Sequence, residues 1–130
     1  MNYTSYFRFL ILAPMAMVFL AVALDFSYAF PESINGFWGQ KAVEGYSRLY
    51  YAYLLLAVMA FIADLMMLFF ISHSREIWIL LISAFYIAAS LMPELTIMSP
   101  FSIVLVQIAS LMAGLKISLA YLSPPIRDLF

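Results

Sequence analysis

The chain has 130 residues, 67% of them hydrophobic and 10% charged, with a mean hydropathy of +1.04 and a net charge of −1. A soluble domain is nearer half apolar and a quarter charged, and a core of this size cannot hide the excess, so lipid has to take it. The near-neutral balance excludes nucleic acid as a partner, and the absence of cysteine excludes disulfides, thiolate metal sites and a cysteine nucleophile.

The first apolar run, residues 9–30, follows Arg8. At ~1.5 Å per residue it is long enough for a ~30 Å hydrocarbon core. With Ser27-Tyr28-Ala29 near its end it resembles a secretory signal peptide. It is longer than an ordinary h-region, and the expectation is a retained first helix with Pro14 in its first turn or two. Pro31 closes it. The polar loop over 31–47 carries the turn signal Asn35-Gly36. Phe37, Trp38, Tyr46, Tyr50 and Tyr51 suit a membrane–water interface. The loop has room for a short surface helix over 39–45.

The second run, residues 49–71, is interrupted only by Asp64. Ser72-His73-Ser74-Arg75-Glu76 then forms a tight polar turn. Ser74 is the expected N-cap, with Glu76 well placed in the first turn of the next helix. The third run, residues 77–92, is the shortest, and Pro93 stops it. A brief loop over 94–100 brings Ser99 as N-cap and Pro100 as the first helical residue. The fourth run, residues 101–122, ends before Ser123-Pro124-Pro125.

The pattern predicts an all-α integral membrane protein: one domain over 1–130, folded as an antiparallel four-transmembrane-helix bundle with neighbouring helices joined by short connections. No ten-residue stretch alternates as a barrel strand does, and no internal repeat stands out. Arg8, Arg75 and Arg127 gather on one side, with Lys116 leaning towards it, against Lys41 and Arg48 on the other. The positive-inside rule then puts both termini in the cytoplasm, with the bacterial inner membrane as the expected location.

Charges at membrane depth are costly and ask for a partner or a task. Asp64 and Lys116 lie at similar depths, roughly 10 Å inside the cytoplasmic boundary, on helices of opposite direction. They form a candidate intramembrane charge pair, either an ion-linked switch or a structural pairing with Lys116 snorkelling to the headgroups. Asp25 and Gln107 match in depth near the outer face. Asp25 is a candidate for an outer vestibule or simply for interfacial water. Gln107, Ser110, Gly114 and Ser118 share one helix face, with a doubled small-xxx-small spacing that lets another backbone approach. Ala84 and Ala88 form a weaker version. Lys116 sits roughly 200° around the helix from Gly114. The fourth helix thus has two faces that avoid lipid, which favours an oligomer or a membrane partner subunit.

His73 is the single histidine. Bis-histidine haem ligation within one chain and His-rich zinc chemistry are therefore excluded, and no cofactor or metal is expected. The nine methionines show no clustered spacing and read as filler. No nucleophile elbow surrounds any serine, and Gly-rich phosphate loops are absent. The reading is a non-catalytic membrane subunit that oligomerises and anchors or senses for a larger complex. It would present His73, Arg75, Arg127 and Phe130 to a soluble cytoplasmic partner. The alternative is a small oligomeric proton- or ion-coupled transporter using Asp64 and Lys116.

Overall fold

The computed structural model describes residues 2–92 and 97–130. Among them six helices and no strand are present: α1 (Tyr3–Ser27), α2 (Glu32–Glu44), α3 (Arg48–Leu68), α4 (Ser74–Leu91), α5 (Pro100–Leu122) and α6 (Pro124–Arg127). α1, α3, α4 and α5 are each long and apolar enough to cross a membrane. Only 17–22% of the most apolar stretch of each is buried within the chain. The remaining apolar surface faces outward, as a lipid solvent requires.

The helix ends follow local chemistry more closely than hydropathy does. α1 starts at Tyr3, ahead of the expected residue 9, because the Asn2 side chain accepts from the Ser5 N–H at 3.3 Å and caps it. Phe7 is then fully buried on a helix face, so the polar-looking tail has a core to enter. Pro14 accordingly falls mid-helix rather than in the opening turns, where it cannot donate to the Leu10 carbonyl.

The expected loop over 31–47 is mostly helix. Pro31 precedes it, Glu32 lies in its first turn and Lys41 in its last, each complementing the helix dipole. Asn35 donates to the Phe30 carbonyl at 3.2 Å instead of making a turn. Gly45, at φ 85°, ends α2 in a backbone conformation open to glycine and strained for other residues.

Ser47 caps α3 by accepting from Tyr50 N–H at 3.1 Å. α3 stops at Leu68, short of the expected residue 71, and Phe70 turns with φ 54°. The expected N-cap of α4 is also displaced. His73, left-handed at φ 64°, occupies the cap position without a side-chain bond. Ser74 becomes the first helical residue, its hydroxyl buried without a hydrogen-bond partner among the described residues. The Pro93 stop and residues 94–96 of the following loop lie outside the described residues. Ser99 and Pro100 open α5, the Ser99 hydroxyl accepting from Ser102 N–H at 3.3 Å.

Packing joins the helices in two pairs, α1 with α5 and α3 with α4, while α1 touches α3 and α6 more lightly. Sequence adjacency alone mispredicts this: α4 and α5 follow one another but pack chiefly on other partners. The α1–α5 pair is antiparallel, with Phe7 beside Phe130 at one end and Asp25 beside Ser99 at the other. The principal core of Phe7, Ile11, Ala60, Ala63, Met67, Trp78, Leu81, Ala120 and Ile126 lies in the half that carries both termini. Its rim is an aromatic trio, with ring centroids 5.8 Å apart for Phe7–Phe70, 5.8 Å for Phe7–Phe130 and 5.4 Å for Phe70–Phe130. Such pairs stabilise beyond the area they bury. Phe7→Ala is expected to destabilise the fold by about 3–5 kcal/mol, read as an earlier midpoint when the protein in mixed micelles is titrated with SDS.

Candidate functional site

Lys116 comes from the middle of α5's last three turns and Asp64 from the last two turns of α3. Their helices are not among the principal packed pairs, and the lysine's four-carbon arm reaches from one pair to the other. Its ammonium donates to Asp64 Oδ1. The Lys116 side chain is 2% exposed and that of Asp64 16%. α4 completes the site: Lys116 Nζ lies 3.8 Å from the centroid of the buried Trp78 ring. A carboxylate on one side and an aromatic face on another offset the loss of water around the cation. The Trp78 Nε1–H is buried with no acceptor among the described residues. The tryptophan is therefore held by its ring face and packing rather than by its polar edge.

One turn nearer the termini, Arg75 makes a second cross-link. Its Nη1 donates to the Ala120 carbonyl at 2.8 Å and its Nε pairs with Glu76 at 2.8 Å. The guanidinium also lies over the Tyr121 and Phe130 rings, 4.6 Å and 5.4 Å from their centroids. Arg8 stacks over Phe70 at 5.6 Å. Ser72 Oγ donates to the Phe130 carbonyl at 3.5 Å. The expected docking residues thus divide. Arg75 and Phe130 are engaged inside the protein, whereas His73 and Arg127 are exposed, Arg127 pairing with its neighbour Asp128 at 3.0 Å.

Asp25, the outer-vestibule candidate, is engaged in a hydrogen-bonded cluster at the start of α5. Its Oδ1 accepts from the Ser99 N–H at 2.8 Å and from Ser102 Oγ at 2.6 Å, so it sits on the N-terminus of α5. Ser102 Oγ is also 2.8 Å from the Ala21 carbonyl and 2.8 Å from Ser99 Oγ. Its one proton points to either the Asp25 or the Ala21 oxygen, and the Ser99 hydroxyl can donate to Ser102 Oγ. Gln107, at matching depth, is not part of this cluster and is exposed.

The other members of its face are exposed too. Ser110 Oγ and Ser118 Oγ donate to the Val106 and Gly114 carbonyls of their own helix, each at 2.9 Å. A Cβ built on Gly114 would meet nothing within 4 Å. Ala88, by contrast, is buried, and Tyr53 of α3 stacks on Phe85 of α4 with centroids 4.5 Å apart.

Trp78 and Ser102 were the functional contributors that the sequence did not single out. A tryptophan just inside an apolar run looks like an interfacial anchor. Ser102 announces itself only as the residue three after a helix-capping serine. An apolar groove of about 160 Å³ lies between α3 and α4, lined by Met59, Ile62, Ala63, Met66, Ile77 and Leu81 and by neither Asp64 nor Lys116.

No protein-family model, curated protein or solved structure matches the chain. The chemistry of the site therefore has to be read from its own geometry. Removing one partner of a buried pair strands the other charge, whereas removing both restores balance. Asp64→Asn and Lys116→Met are each expected to destabilise by about 3–5 kcal/mol, with the double variant recovering most of the loss. SDS titration of all three proteins checks this, and two additive losses would contradict a coupled pair.

Proposed function

We propose that the chain is a non-catalytic membrane subunit. It forms an antiparallel four-helix bundle with both termini in the cytoplasm of a bacterial cell, and it assembles through α5. The carrying observation is the exposed Gln107–Ser110–Gly114–Ser118 face. Lys116, Ala109 and Ala120 are consumed inside the protomer. The small and polar face is left where only lipid or another helix can meet it. Lipid tails gain little from a bare glycine backbone, whereas a second helix gains close van der Waals contact and a polar partner for Gln107. A second copy of α5 supplies both groups symmetrically. The subunit would anchor a larger complex, with His73 and Arg127 as its exposed cytoplasmic polar contacts.

The second reading, an oligomeric proton- or ion-coupled transporter, draws on the buried Asp64–Lys116 pair. The burial of Lys116 and its seat against the Trp78 ring favour a structural clamp.

Gly114→Leu separates assembly from folding, because the new side chain enters open space in the protomer. Self-association in liposomes, followed by energy transfer between labelled copies, is expected to fall several-fold while the SDS-titration midpoint stays put. Unchanged energy transfer would remove α5 as the seam. Proton or cation flux through wild-type liposomes that Asp64→Asn abolishes, with energy transfer intact, would establish the transporter instead.

A further inference from the structure

α2 is not one of the crossing helices and takes no part in the main helix–helix packing. Its position is set by its tethers. Residues 28–31 join it to α1 and residues 45–47 to α3, so both its ends belong to the same membrane face. Thirteen helical residues measure ~20 Å. Were α2 upright, its far end would stand that distance from the surface. Three fully extended residues reach only ~10 Å, too little to bring Arg48 back. α3, at ~30 Å, has no length to spare beyond the hydrocarbon core. α2 must therefore run along the surface.

Its side chains divide into two faces, the more apolar of which the chain itself covers only in part. Ile34, Phe37, Trp38 and Lys41 are the described residues of α2 that are half-buried. Their i, i+3, i+4, i+7 spacing puts them on one face. Trp38 stacks on Phe30 at 4.9 Å and Phe30 on Tyr28 at 4.8 Å, continuing the aromatic ladder from the end of α1. The opposite face carries Glu32, Gly36, Gln40 and Val43, all exposed, with Gln40 bonded to Glu44 at 2.6 Å.

We propose that α2 is an interfacial helix seated in the phospholipid surface on the side opposite the termini. Ile34, Phe37 and Trp38 enter the boundary between headgroups and acyl chains, where amphipathic rings are favoured. Lys41 lies on the same face, its stem among the chains and its ammonium at lipid phosphate. The inference rests on the membrane reading of the four spans and is independent of oligomerisation.

The chain lacks cysteine, so a nitroxide can be placed at one residue at a time. Phe37→Cys, Val43→Cys and Leu55→Cys are labelled and reconstituted in phosphatidylcholine vesicles. Collisions with oxygen and with a water-soluble nickel chelate are then compared. Leu55, 61% exposed on α3, reports whether the spans themselves are inserted. The ratio of oxygen to nickel collisions is expected to be several-fold higher at 37 than at 43, and high at 55. Equal nickel exposure at 37 and 43, with 55 still in lipid, places α2 in water and overturns the proposal. Shielding of 37 from both reagents overturns it too, since protein then covers the face.

Quenching of native tryptophan by brominated phosphatidylcholine gives a second measure free of label. The difference between wild type and Trp38→Phe isolates Trp38 and leaves Trp78 in place. Stronger quenching by bromines near the headgroup than by bromines at the chain end supports the seat. Quenching of Trp38 by aqueous iodide alone overturns it.

Discussion

The two helix pairs share one apolar core, and Lys116, well inside the apolar span of α5, bridges them with its charge. An ammonium at that depth cannot be left facing acyl chains. Asp64 supplies the opposite charge from α3 and Trp78 a ring face from α4, so a single side chain on α5 obliges three helices to converge. That demand also sets how α5 is rotated. With Lys116 turned inward, Gly114, two residues and roughly 200° away, has to turn outward, and Gln107, Ser110 and Ser118 go with it. The buried charge and the exposed small-residue face are two consequences of one rotation.

The same economy governs both ends of α5. At its start, the Asp25 carboxylate from α1 meets backbone N–H and hydroxyl groups that the helix itself cannot satisfy. At its finish, Arg75 from α4 donates to the Ala120 carbonyl, where the helix dipole favours a cation. Each terminus of α5 is thus capped by an opposite charge from a different helix. In a medium with few competing hydrogen-bond partners, those caps fix the height of α5 as firmly as Lys116 fixes its rotation. The Phe7–Phe70–Phe130 trio then closes the termini end around Arg75 with apolar contact.

Depth along a membrane helix can be counted from its ends, so residue numbers carried that coordinate well. The four long apolar helices lie where hydropathy places them, with ends displaced by a few residues through caps such as Asn2 and turns such as Phe70. Counting also gave Asp64 and Lys116 equal depth, as it did Asp25 and Gln107. The first two meet and the second two do not, because meeting further depends on azimuth and on which helices are neighbours. The sequence carries the azimuth of α5 relative to itself but not relative to α1. It equally hid the pairing of α1 with α5 across the whole length of the chain. Phe130 looked like a free apolar tail for want of Phe7 and Phe70, which are remote in sequence. α2 was obscured differently: Asn35-Gly36 is a strong local turn signal, and here the charges at either end of α2, together with its tethers, outweigh it.

The two small-residue motifs make the final contrast. Hydrophobic attraction between helices vanishes in lipid, so a small side chain is useful mainly where another backbone comes close. Around Ala84 and Ala88 that backbone is found within the protomer: α4 lies on α3, Tyr53 stacks on Phe85, and Ala88 is buried. Around Ser110, Gly114 and Ser118, apart from the helix's own adjacent backbone, no atom of the described residues lies within 4 Å of where a Cβ on Gly114 would stand. The serine hydroxyls turn back on their own helix, but the Gln107 amide, on the same face about two turns from Gly114, has donors and acceptors to spare. A lipid-facing helix with no further contact would be better served by Leu or Ala at residue 114, both stronger helix formers than glycine. Glycine there gives up helix propensity without a contact inside the chain in exchange, and on the assembly proposed above close approach by a second helix would supply one.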